Sequence, residues 1–170
     1  MSVLTVVLRL VHVVGGMLWV GFAVFGACFL FPTLAETGPE GGRVMAVLQR
    51  RHLLTVFPIL ALLTVISGLW LYGRAASTAP GFGGSRMGIT LGFGGVCALV
   101  ALFVGMLVVS PSMNRALATA QQAAQAATTD ERQALIALSA QRRARAARGS
   151  RIATLLLIVA ACAMAVGRYV

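Results

Sequence analysis

The chain contains no lysine, and of its 170 residues only four are acidic: Glu36, Glu40, Asp130 and Glu131. None of the four falls inside an apolar run. That argues against a proton-coupled transporter built on membrane carboxylates, and no carboxylate pair is placed for general acid–base work. The three cysteines, Cys28, Cys97 and Cys162, lie far apart, each within an apolar run. No Cys-x-x-Cys or Met-x-x-Met occurs, so the spacing encodes neither a thiolate metal site nor the clustered soft donors that select Cu(I). No phosphate-binding loop and no catalytic triad is legible. Without lysine, all 14 basic side chains are arginine; with so much Ala and Gly, this is the composition of high-GC codon usage.

What the chain has is hydrocarbon: 59% of the residues are hydrophobic. Four apolar runs stand out at 3–31, 53–72, 87–109 and 152–166. A helix crosses the bilayer core with about 20 apolar residues, so each run is long enough, or nearly so once its flanks are added. The first run is too long for the h-region of a leader and no basic segment precedes it. The expected fold class is an all-α integral membrane protein. It forms one domain over 1–170, a four-transmembrane-helix bundle with spans at about 3–31, 43–73, 87–110 and 150–168.

Between the first two spans lies turn chemistry, Pro32, Gly38, Pro39, Gly41 and Gly42, with helix resuming near Arg43. Pro58 removes one backbone bond from the second span, and Trp70 and Tyr72 suit its interfacial end. The third span holds Gly88-x-x-x-Gly92, a small-residue pattern that permits close helix contact and possible homo-oligomerisation. The longest connection, 112–150, follows a kink expected at Pro111. Its Ala- and Gln-rich first half and a Thr128 cap with Glu131 three residues on predict a cytoplasmic helical hairpin extension between helices 3 and 4. Its second helix should end at Gly149, with Leu135, Ile136 and Leu138 as its apolar stripe.

Arginine sets the expected orientation. Ten, Arg43, Arg50, Arg51, Arg115, Arg132, Arg142, Arg143, Arg145, Arg148 and Arg151, fall on one side, and four, Arg9, Arg74, Arg86 and Arg168, on the other. The richer side is expected to be cytoplasmic. The chain then sits in the cell inner (cytoplasmic) membrane as a multi-pass protein with both termini on the non-cytoplasmic side. The Arg142–Arg151 cluster would touch anionic lipid headgroups. No aromatic residues interleave with it, so nucleic acid is not an expected partner.

The candidate site is His12, the only ionisable side chain deep in the first run, roughly 12 Å along the helix from Leu4. An imidazole in lipid is costly, so it should face protein or a ligand. His12, Gly16, Trp19, Ala23 and Gly26 share one helix face; the small residues admit a neighbouring helix or a flat ligand. A neutral His bonded to an adjacent helix, with the small residues serving packing only, accounts for the same pattern. His52, beside Arg50 and Arg51, belongs to the opposite end of the bundle and cannot share a ligand with His12.

The residues His12 and Trp19, then Leu30, Pro32 and Leu34, resemble the first span of the HemJ-type protoporphyrinogen oxidases. Gln49-Arg50-Arg51, Leu54, Pro58 and Gly68-Leu69-Trp70-Leu71 resemble their second, and Arg151-Ile152 with Leu155 to Ile158 the start of their last. The CopD-like copper-resistance domain has a similar His-to-Trp first helix. The resemblance covers about two thirds of the chain and implies a four-helix membrane protein that binds haem b. His12 would be the iron ligand, with Trp19 and Gly16 as the pocket wall and Thr90 where the family has a functional Lys. Thr33 and Gln49 likewise replace an Arg and an acid of the family. Haem iron takes one or two axial ligands, commonly His or Met, and Met87 or Met164 would supply a second. The expected function is electron transfer or porphyrin chemistry; whether the chain is an enzyme rests on the resemblance alone. Two alternatives stand beside it: a cofactor-free structural or assembly subunit of a larger membrane complex, and a copper-handling membrane protein.

Overall fold

In the computed structural model, residues 2–170 are described, and no strand occurs among them. Helix α1 runs over Val3–Glu36, started by Ser2, whose hydroxyl accepts the Thr5 amide at 3.3 Å. Then come α2 (Pro39–Arg50) and α3 (Leu53–Thr78). A short turn leads to α4 (Arg86–Gln125), whose cap Ser85 accepts the Gly88 amide at 3.0 Å. Helix α5 covers Thr129–Val166 and is capped by Thr128 on the Glu131 amide, as their spacing predicts.

Four helices, α1, α3, α4 and α5, are long and apolar enough to cross a membrane. Their packing is inverted relative to a water-soluble bundle. The interior is rich in small residues, Ala61, Thr64, Ser67, Ala98, Ala101 and Ala160, joined by Val65, Leu102 and Leu157, while Leu10, Met17, Ile66, Phe93, Phe103 and Leu155 point outward. Large apolar side chains on the outside and backbones in close contact inside are the arrangement lipid favours. The chain is a multi-pass membrane protein. Helix α1 packs on α3 and α5, and α4 packs on the same two, so α1 and α4 face each other across the bundle.

Helices α4 and α5 extend well past the bilayer. At 1.5 Å per residue they measure about 60 and 57 Å against a core of about 30 Å. The hairpin is therefore not a separate element hinged to the bundle: each of its arms continues a span. Pro111 does not break α4. A π turn, Gly105–Val109, is closed by the Ser110 amide on the Gly105 carbonyl and absorbs the bond and the space that Pro111 would otherwise disrupt. The same device sits in α1, where the π turn Gly26–Leu30 closes by the Phe31 amide on Gly26 just before Pro32. Both read Gly-x-x-x-x-x-Pro in the sequence.

Three further expectations are corrected. Helix α5 runs through Gly149, which is buried because α4 crosses there: an added Cβ would lie 3.1 Å from Val108 and 3.2 Å from Val109. The second span does not begin at 43. The chain breaks at Arg51 and His52, with His52 left-handed (φ 59°, ψ 22°), and α2 folds back so that Met45 buries against Met113 and Ala146. Finally, the hairpin is not held by Leu135, Ile136 and Leu138, of which the last two are exposed. Its seam is small and polar. Ser139, 1% exposed, donates to the Ala116 carbonyl at 3.0 Å, and the Arg142 guanidinium donates to the Arg115 carbonyl at 3.1 Å and to the Thr119 hydroxyl. Ser139→Ala should cost about 1 kcal/mol by leaving that carbonyl its helical partner alone, read as a lowered thermal midpoint by circular dichroism in detergent.

Candidate functional site

The His12 imidazole meets α3 at Thr64 and Gly68. Its Nδ1 donates to the Thr64 carbonyl at 2.8 Å. A carbonyl only accepts, so the proton is on Nδ1 and, in the neutral ring, Nε2 keeps its lone pair. The same carbonyl also accepts the Ser67 hydroxyl at 3.0 Å. Gly68 makes the approach possible: a Cβ there would fall 2.6 Å from His12 Cε1 and 2.9 Å from Nδ1. The contact is reciprocal. Thr64 fills the space that Gly15 leaves on α1, where a Cβ would sit 2.5 Å from the Thr64 hydroxyl, and a Cβ on Gly16 would meet the Thr64 methyl at 3.7 Å. The Thr64 hydroxyl is satisfied by the Leu60 carbonyl at 2.8 Å. One side chain from each helix thus inserts into a glycine of the other, and His12 is half-buried as a result.

Trp19 lies two turns further along α1, between two buried clusters: Ala61, Val65 and Leu102 on one side, and Cys97, Ala98 and Ala160 on the other. It lines a half-open pocket of about 120 Å³ that runs along Phe22, Ala23 and Gly26 to Gly105 and Leu157. The pocket is apolar, both π turns border it, and His12 does not line it. Pockets that enclose small-molecule ligands have about 300–1,000 Å³, so this one does not enclose a porphyrin.

The remaining candidates are not gathered at His12. Met87 is exposed near the start of α4. Tyr72, one turn beyond Gly68, already reaches the Gly88 carbonyl at 3.2 Å, which sets Met87 about a turn or more away along the bundle. Thr90 turns its hydroxyl to the Arg86 carbonyl of its own helix at 2.8 Å. Met164 packs on Gly94. His52 is exposed at the far end of α3, twelve residues or about 18 Å from Thr64. Among the described residues no three His, Cys, Asp or Glu side chains come together. Thr64, Gly68 and Gly15 were not singled out from the sequence as site residues; Gly68 entered only as part of the Gly68-Leu69-Trp70-Leu71 resemblance, and the signal available for the rest was the Thr64-x-x-Ser67-Gly68 run on a neighbouring span.

Comparison with models of known protein families, with curated proteins and with solved structures finds no match for this chain.

Proposed function

We propose that the protein binds haem b, with His12 Nε2 as an axial iron ligand, and serves electron transfer or porphyrin chemistry in the membrane. The observation that supports this reading is the His12–Thr64 bond. A metal-ligating histidine characteristically donates its other ring N–H to a carbonyl or carboxylate, which sets tautomer and ring orientation. Here a buried main-chain carbonyl does so, inside a membrane span where an ionisable group is otherwise an expense. The donor chemistry fits one axial position. His12 would hold the iron, and Thr64 and Gly68 would orient the ring. Haem bound there would supply a one-electron couple set by its axial ligation and surroundings. The resemblance to the HemJ-type and CopD-like proteins points the same way. So does arginine placement on orientation: the hairpin side is read as cytoplasmic, at anionic headgroups of the inner membrane, with both termini outside.

The test is the visible spectrum of protein purified from haem-replete cells, oxidised and then reduced with dithionite, beside analysis for iron and copper. The expected result is a Soret band with reduced b-type α and β bands and iron near one per chain. A featureless spectrum would overturn the reading, and bound copper in its place would move the protein to the copper-handling alternative.

A second reading has its own observation. The His12–Thr64 clasp also completes the α1–α3 contact with no cofactor, and the hairpin arms stand well outside the bilayer, as in an assembly subunit that docks on a partner complex or a second copy.

A further inference from the structure

A groove of about 770 Å³ opens between the end of α1, helix α2 and the hairpin. Its floor is hydrocarbon, from Leu34, Ala46, Met113, Leu117, Ala120 and Ala140, and Arg43, Arg132 and Arg143 stand on its rim. Among the described residues the only ion pair is Arg43 with Glu40 at 3.2 Å, so Arg132 and Arg143 face the groove without a carboxylate partner. Phe31 and Met45 line both this groove and the apolar pocket beside Trp19, so the two apolar spaces meet at a seam of these two side chains.

We propose that this groove binds one anionic phospholipid, its phosphate on Arg143, with Arg43 on the rim and Arg132 about 16 Å further out along α5, and an acyl chain directed over Met113, Ala144 and Ala147 toward the Phe31–Met45 seam. An apolar floor and a cationic rim together fit a single molecule that is chain at one end and anion at the other. The polarity is the one a leaflet lipid already has. The base of the groove, at Phe31 and Met113, sits where the apolar runs end, and Arg143 stands about 9 Å above Gly149 along α5. The headgroup therefore stays on the aqueous side while the chain points to the midplane. The groove walls are continuations of the spans, so a lipid can enter from the membrane without crossing water. This inference needs the membrane crossing and is independent of the haem reading.

The experiment is native mass spectrometry of the full chain, delipidated in detergent and titrated with phosphatidylglycerol or with phosphatidylethanolamine of the same chains. Wild type should retain one phosphatidylglycerol and markedly less phosphatidylethanolamine. The R43Q/R132Q/R143Q variant should lose affinity by roughly fivefold per arginine that contacts the headgroup. A variant of equal charge, R145Q/R148Q/R151Q, whose residues do not line the groove, should keep it. Ala144→Trp fills the floor on the membrane side of Arg143 at an exposed position and should exclude the lipid with the rim intact; it carries the test if the arginine variant fails to fold by circular dichroism. Equal retention of the zwitterionic lipid, equal loss in the control variant, or undiminished binding with Ala144→Trp would each overturn the proposal.

Discussion

If the protein binds haem as proposed, His12→Ala is expected to abolish the haem spectrum and leave a folded bundle, and Gly68→Ala is expected to separate ligation from packing. Removing the imidazole does not orphan the Thr64 carbonyl, which keeps the Ser67 hydroxyl at 3.0 Å and its place in the helix. The stability loss should therefore be that of a small cavity and one net hydrogen bond, about 1–3 kcal/mol. Gly68→Ala adds one methyl group at 2.6 Å from His12 Cε1. The ring must move, the 2.8 Å bond to Thr64 must lengthen, and the cost should be about 1–3 kcal/mol, less the helix preference of Ala over Gly. In His12→Ala the same methyl group enters the vacated space, so the double variant should be more stable than the sum of the two singles by about 0.5–3 kcal/mol. The melting cycle reads the packing, and the spectrum reads the ligand. If His12 holds iron, Gly68→Ala shifts or broadens the reduced bands through the altered ring orientation, while His12→Ala removes them in either Gly68 background. A protein in which the melting cycle appears with no spectrum in wild type uses His12 as a clasp between helices and nothing more.

The second large effect is at the base of the hairpin. Gly149→Leu should lower stability by about 3 kcal/mol, at the upper end of overpacking costs, with Gly149→Ala close to neutral. The reason is the pair of branched side chains opposite. A Cβ would stand 3.1 Å from Val108 and 3.2 Å from Val109, both on the π turn of α4, whose backbone has little freedom to yield. One methyl group asks for a few tenths of an ångström, and the roughly 1 kcal/mol that Ala gains over Gly in a helix offsets it. Leu asks for space that only separation of α4 from α5 provides. Thermal melts in detergent measure both variants. Any spectrum that depends on His12 should stay unchanged in either, because His12 lies at the other end of α1.

How much of this was legible beforehand differs by element. The spans were legible because hydrocarbon length is a one-dimensional property: about 20 apolar residues cross a bilayer wherever they pack. The Thr128 cap was legible because capping is local. The continuity of α4 through Pro111 and of α5 through Gly149 was not. Proline and glycine read as breaks when each helix is considered alone. What overrides them is the partner helix, which needs a glycine at the crossing, together with a π turn that accommodates proline. The break at His52 escaped for the converse reason, since nothing local forbids helix there; Met45 finds a buried place only when α2 turns back onto the hairpin.

The same division holds at the site. The sequence by itself determined that this is a chain of four apolar runs with one histidine inside the first, because the energetic penalty for burying that imidazole does not depend on the fold. Only the tertiary structure decided which atom the histidine uses and for what. The Thr64 carbonyl and Gly68 are 52 and 56 positions away in the chain, and a main-chain acceptor carries no residue-type signature. The proton on Nδ1, the lone pair on Nε2 and the cationic groove at the far end all arise from helices brought side by side, where the absence of a Cβ on one helix becomes the room for a side chain of another.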